Sequence, residues 1–270
     1  MSKAYVDTTV LANALLKRRS PAGLEAEAAL KRYSVTQLPE YAIKEFKKGP
    51  LSVFVWVHNK LVSTRSVADT VAAIQRVSPT PQRYRVSTAL EALSGAMRAT
   101  GAQTPNELLE KYGEAAKSDR VNCDEYRLAL KPLIYRAWTR HRRVTSAVVQ
   151  PLSCYTMAKP FEDRGLLRLE PKKCQPEHEC CLAASMRADP AALKALKTTV
   201  DKQAPKAENT RRSGALASLL ANRPMTEKMC DDLGDAVLAF FAPSDSVILT
   251  SNTRDFGPLA GALGKSVERP

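Results

Sequence analysis

Val247-Ile248-Leu249-Thr250-Ser251-Asn252-Thr253-Arg254-Asp255-Phe256 is the stretch whose reading decides the fold. Its first three residues are apolar without alternation, as suits a strand covered on both faces of a parallel sheet. Thr250, Asn252 and Asp255 then follow at the C-terminal edge of that strand, where open α/β sheets place their ligands. Upstream, Gly234-Asp235-Ala236-Val237-Leu238-Ala239-Phe240-Phe241 reads as part of one helix over 226–242, with Leu233, Val237, Phe240 and Phe241 on a single stripe. Asp231 and Asp235 sit one helical turn apart on a neighbouring face. Two like charges so placed oppose helix formation unless a cation or solvent offsets them.

The head of the chain reads the same way. Ala4-Tyr5-Val6 is a short strand ending at Asp7-Thr8-Thr9, and Val10 to Lys17 is helical in composition. Ser20-Pro21 opens a second helix through Leu30. Tyr33 to Leu38 follows as a strand, then a helix around Tyr41–Phe46 that stops at Gly49-Pro50. Strand, helix, strand, helix is the start of a βαβ arrangement and predicts an α/β fold with a central parallel sheet. Leu51 to Arg76 continues as one apolar-rich helix. From Val86 to about Val149 the patterning is helical throughout, including a helix opened by Thr104-Pro105-Asn106-Glu107. That block is too long for a loop within a compact domain. The expected organisation is therefore a core in two parts, 1–76 and 161–270, interrupted by an inserted all-α lobe over 77–160. In the second part Gly165 to Pro171 is expected as the third strand, Lys173 to Ala188 as a helix, Asp201 to Arg212 as an exposed mobile segment, and Lys265 to Glu268 as a short final strand.

Composition narrows the function. A hydrophobic share of 44% over 270 residues is that of a globular chain. Aromatics at 6% argue against a platform on which bases stack. The net charge of +13 favours a polyanionic partner, nucleic acid before an acidic membrane surface. No apolar run approaches the ~18 residues of a membrane span, and no secretory leader is recognisable, so a cytoplasmic location is expected. Its six cysteines then read as reduced thiols.

Four acidic stations stand out: Asp7 at the end of the first strand, Glu45 on an early helix, Asp235 on a late one, and Asp255 just past the late strand. In a parallel sheet the ends of the first and late strands are commonly neighbours, so these groups can converge. Several carboxylates in one place cannot all ionise unless something offsets their repulsion. Mg²⁺ or Mn²⁺ does so through an all-oxygen shell, and such a site can activate water against a phosphodiester. Each station also has a plainer reading. Asp7, Asp235 and Asp255 could be surface or capping carboxylates, and Glu45, among Lys44, Lys47 and Lys48, could be a salt-bridging surface residue. Asp231 and Asp232 would only extend the acidic rim. Cys174, His178, Cys180 and Cys181 could ligate zinc, but their spacing departs from the usual zinc patterns and core thiols suit them better. His58, in an apolar helix, reads as structural. The run Arg136, Arg140, His141, Arg142 and Arg143 is the candidate contact to nucleic-acid phosphates, against a solvated helix face. Trp138 within it could stack on a base or pack against the lobe.

In order along the chain, Tyr5-Val6-Asp7-Thr8-Thr9-Val10-Leu11, Glu45-Phe46-Lys47-Lys48-Gly49, Gly234-Asp235-Ala236-Val237-Leu238-Ala239 and Leu249-Thr250-Ser251-Asn252-Thr253-Arg254-Asp255-Phe256 resemble the four motifs of PIN-domain ribonucleases. The resemblance covers about the first 60 residues and about the last 100. It implies a PIN-like α/β/α sandwich and Mg²⁺- or Mn²⁺-dependent RNA cleavage leaving a 5′-phosphate. Carried over by position, Asp7, Glu45 and Asp235 would form the metal-binding core. Thr9 would support Asp7, and Asp255 would be the fourth acid, assisted by Asn252. The helical block has no counterpart in the small toxins of the family, and is free to set substrate choice, to meet an inhibitory or regulatory protein, or to pair copies as a homo-oligomer. The expectation is a metal-dependent endoribonuclease, suited to a toxin or defence role. The alternatives are an inactive nucleic-acid-binding module of the same fold and a DNA-directed nuclease.

Overall fold

Two strands from opposite ends of the chain lie side by side at the centre of the molecule. In the computed structural model, which describes residues 2–18, 20–77, 79–99, 119–152, 159–170, 174 and 180–270, β1 (Lys3–Val6) leads into α1 (Thr8–Leu16), α2 (Pro21–Arg32), β2 (Val35–Pro39) and α3 (Glu40–Phe46). A π-turn over Lys47–Leu51 joins α3 to α4 (Ser52–Thr64), and α5 (Val67–Gln75) follows. Next come α6 (Pro79–Ala99), α7 (Asp119–Arg140), a 3₁₀ turn (His141–Arg143) and β3 (Ala147–Val149). The chain continues with β4 (Phe161–Asp163), β5 (Leu166–Arg168), α8 (Cys181–Arg187), α9 (Pro190–Asp201), α10 (Ala207–Leu220), α11 (Glu227–Leu233) and α12 (Asp235–Phe241). It closes with β6 (Val247–Leu249), α13 (Thr253–Ala262) and β7 (Val267–Glu268).

The protein is α/β, with a five-stranded parallel sheet in the order β3-β2-β1-β6-β7. From β1 the chain steps outward to β2 and β3, then returns to the other side for β6 and β7. The order therefore reverses between β1 and β6, whose register pairs Ala4 with Val247, Tyr5 with Ile248 and Val6 with Leu249. A crevice at such a reversal, beyond the strands' carboxyl ends, is the favoured ligand position of open parallel sheets. Tyr5, Leu38, Ile248 and Leu249 of the strands are buried with Phe46, Phe54 and Phe256 of the helices in one core. Leu130 and Ile134 of α7 and Ala89 and Ala92 of α6 belong to that same core. The described helices of the 77–160 block, α6 and α7, pack on α4, and α7 also on α1. Among the described residues no helix is long and apolar enough to cross a membrane.

Several expected elements form differently, each for a local reason. The third strand of the sheet is Ala147–Val149, at the end of the block read as helical. Leu166–Arg168 instead pairs antiparallel with Phe161–Asp163 in a separate hairpin. It lies against α4, where the side-chain amide of Asn59 substitutes for a strand neighbour: its Nδ2 donates to the Leu167 carbonyl and its Oδ1 accepts from the Leu167 N–H, both at 2.8 Å. The helix expected over 51–76 breaks at Arg65, which takes a left-handed conformation (φ 54°) before Ser66 caps α5 through the Asp69 N–H. The helix expected over 226–242 breaks at Gly234, at φ 33° and ψ −108°, a region open to glycine. The segment expected to be exposed up to Arg212 carries the first turns of α10. The helix opened at Thr104, the start of the helix expected from Lys173, and His178 lie outside the described residues.

Candidate functional site

Asp7 is the first residue beyond β1 and the N-cap of α1. One carboxylate oxygen, Oδ1, accepts the Thr8 N–H at 2.6 Å. The other, Oδ2, accepts the Thr9 N–H at 3.2 Å, the Thr9 hydroxyl at 2.6 Å and the Thr250 hydroxyl at 2.7 Å. Those hydroxyls are fixed in turn, because Thr9 Oγ1 accepts the Ser251 N–H at 3.1 Å and Thr250 Oγ1 accepts the Asn252 N–H at 2.9 Å. The turn after β6 therefore orients Asp7 through two threonines. Oδ2 is saturated, whereas Oδ1 with one donor keeps lone-pair capacity. Asp7 is 3% exposed, and burial holds its carboxyl above the ordinary range against the pull of those hydrogen bonds.

Glu45 reaches the same place from α3. Its Oε2 accepts the Thr8 hydroxyl at 2.6 Å. Burial pushes its carboxyl up to about 8, opposed by the Thr8 bond and reinforced by Asp235 and Asp7. Asp235 opens α12 directly after the Gly234 break. Its Oδ2 accepts Nη2 of Arg212 at 3.1 Å. Burial pushes Asp235 up to about 7; Arg212 opposes that rise, and Asp7, Glu208 and Asp255 add to it. Asp7, Glu45 and Asp235 line one cleft of about 390 Å³ with Thr8, Thr9 and Thr88, flanked by Asn13, Lys17 and Phe54. Lys17 of α1 is paired with Glu91 of α6 at 2.7 Å.

The remaining expected residues are placed apart. Asp255 stands in the first turn of α13, outside the lining of the cleft, and acts on Asp235 through its charge. Asn252 enters through its backbone N–H to Thr250. Because the helix breaks at Gly234, Asp231 and Asp235 do not share a helical face. Asp231 is instead held by Lys44 at 3.1 Å and Lys48 at 2.7 Å, and Asp232 by Arg211 at 3.0 Å. Among the described residues no three His, Cys, Asp or Glu side chains stand at metal-holding spacing, and Cys123, Cys174, Cys180, Cys181 and Cys230 are free thiols.

The basic run divides. Arg136, Arg140 and Arg143 are exposed and line a second cavity. Arg142 is ion-paired with Glu40. His141 departs from the expected phosphate contact: it is 6% exposed, with Nδ1 turned to the Trp138 carbonyl. Burial and the nearby Lys47 push it down to about 4, so it is neutral. Trp138 carries the Lys47 ammonium 4.3 Å from its ring centroid. That contact and its packing against the core give the ring a structural role.

One functional side chain escaped the sequence reading. Arg212 is 3% exposed and bridges Glu208 and Asp235, each at 3.1 Å. Its signal was the four-residue spacing from Glu208, a helical pair inside a stretch that looked like loop. Set against family models, curated proteins and solved structures, the chain matches none.

Proposed function

We propose that this protein is a PIN-like endonuclease of the α/β/α type, which hydrolyses RNA phosphodiesters with Mg²⁺ or Mn²⁺. The observation that carries the reading is the convergence of Asp7, Glu45 and Asp235 in one cleft, at the point where the strand order reverses. The net charge of +13 supports a polyanionic substrate.

By chemistry the donors suit a hard cation, three carboxyls with only oxygen atoms to offer, each held above its ordinary pKa by burial; as placed they do not stand at metal-holding spacing. For Asp7 through Oδ1, Glu45 and Asp235 to hold an ion, the three would have to draw together and Asp235 to give up its pair with Arg212. When bound, the metal supplies Lewis acidity and charge neutralisation at the phosphate. The chain's own contribution is orientation and proton placement. Thr9 and Thr250 hold Asp7 in one rotamer. Thr8 joins Asp7 to Glu45, donating its N–H to one and its hydroxyl to the other. Burial, with Asp235 and Asp7 nearby, pushes Glu45 up to about 8, which favours its protonated form near neutrality while the cleft is uncompensated.

The reading is tested on purified protein with an RNA oligonucleotide. Cleavage is expected with Mn²⁺, none with chelator, and none by Asp7→Asn. RNA that is bound but stays intact in Mn²⁺ overturns hydrolysis and favours the binding-module reading, in which Arg212 permanently neutralises Asp235. A DNA strand of the same sequence, if cut in preference, transfers the activity to DNA.

A further inference from the structure

The second cavity lies behind α1. Ala12, Asn13, Leu16 and Lys17 face the carboxylates, whereas Ala14, Leu15 and Arg18 face a hollow of about 560 Å³ on the opposite side of the helix. Its other walls come from α2 and from the end of α7 with the 3₁₀ turn. They bring Lys31, Arg136, Arg140 and Arg143 to one concavity with Arg18 and a single carboxylate, Glu27. Glu27 is already paired with Arg18 at 2.5 Å. Among the described residues, no ion pair joins Lys31, Arg136, Arg140 or Arg143 to a carboxylate.

Like charges gathered in a concavity raise the local potential, and an anion relieves it. The four arginines and Lys31 are all exposed, so they can turn to meet an extended ligand. Among the described residues no aromatic one lines the hollow, which argues against base stacking and leaves the phosphates as the recognised group. Lys17 and Arg18, at the C-terminal end of α1, stand between the two cavities, one facing each.

We propose that this hollow anchors the phosphate backbone of the RNA strand whose scissile phosphate enters the carboxylate cleft, the strand passing over the end of α1. The cleft half of this statement rests on the endonuclease reading; the anchor does not. An α-helix is about 10 Å across, so a strand too short to cross it reaches one cavity only.

The test is binding by the full chain in chelator, where no cleavage intervenes, using a 20-nucleotide and a trinucleotide RNA. Arg140→Gln with Arg143→Gln is expected to weaken binding of the long RNA about tenfold or more, and to lower the magnitude of its salt slope by about 1.4, at about 0.7 for each phosphate no longer neutralised. Arg140→Lys with Arg143→Lys should retain most of the affinity, which guards against a folding defect. Lys194→Gln with Lys202→Gln, an equal charge loss on α9 and its C-cap, should change affinity less than twofold. Equal losses from both glutamine pairs overturn the anchor in favour of diffuse attraction. Unchanged binding of the long RNA also overturns it, and if the glutamine pair then loses only ATP or inorganic phosphate, the hollow is a small-anion site. RNA bound through the hollow yet never cut in Mn²⁺ leaves the anchor standing and removes hydrolysis.

Discussion

Thr250 shows how a residue with no charge can govern the site. It lies on the carboxyl side of β6, is wholly buried, and donates to Asp7 across nearly the whole chain. Valine there keeps the shape and removes the donor, so Asp7 loses one of its orienting bonds. Second-layer groups of this kind are worth about 10–100-fold in metal affinity or activity. Thr250→Val should therefore raise the Mn²⁺ concentration for half-maximal cleavage by about that factor, with a melting temperature close to the parent's. An unchanged Mn²⁺ requirement would show that Asp7 is oriented by Thr9 and the backbone alone. The pH dependence follows from Glu45 and Asp235. Ordinary carboxyls titrate near 4, while these are pushed up to about 8 and about 7. Between those limits the folded chain holds protons that the unfolded chain has released. The contribution of Glu45 and Asp235 to stability in chelator is thus fully present below about pH 4 and is lost as pH rises through about 7 and about 8. Melting curves across that range check the sign, and Asp235→Asn should flatten the slope. A parent profile already flat from pH 5 to 8 would refute the burial-driven shifts.

At the scale of elements, what was legible and what was not have physical causes. The ends of β1, α1 and α2 could be read because each carries its own punctuation: Asp7 and Ser20 are N-caps whose side chains accept from the first turn. β3 could not, since Ala147-Val148-Val149 follows the helical run of α7 closely and carries no polar tip such as the one that sets off β6. The break between α11 and α12 was hidden because the apolar stripe runs through Gly234 undisturbed, and only the backbone angles reveal it. This break aims Asp235 into the cleft. A Cβ at position 234 would sit 3.4 Å from Glu45 Oε1, in a backbone conformation that side chains rarely adopt. Gly234→Ala should then cost about 1–3 kcal/mol, read as a melting temperature lower by several degrees, and should depress cleavage through Asp235 and Glu45. Full stability in the alanine variant would mean that α11 and α12 fuse without strain. α10 was misread for a related reason: its polar first turns look like loop, yet Arg212 is drawn inward by Asp235.

For the molecule as a whole, charge and topology act together. Asp7 from the end of β1, Glu45 from α3 and Asp235 from α12 line one cleft, while the fourth acid expected from the motifs, Asp255, stands outside its lining. On the endonuclease reading, the surface has to bring a strand to that cleft against its own counterions. If the five cations of the rear hollow all meet phosphate, log K for long single-stranded RNA should fall with log salt at a slope of about −3 or steeper. Filter binding between 50 and 300 mM salt, on the order of the range where such slopes are resolved, measures it. A slope near −1 would confine contact to the cleft.

The hydrogen bond from Thr250 to Asp7 spans 243 positions. A ribosome makes the N-terminal end first, at about 5–20 residues per second, so Asp7 waits for its partner until β6 has left the exit tunnel. Until then β1 lacks its β6 neighbour. A nascent or prematurely stopped chain ending before Val247 keeps its positive charge but never closes the crevice. On the endonuclease reading, the machinery that translates this protein, itself built on RNA, would therefore meet no finished cleft for nearly the whole time it is making one.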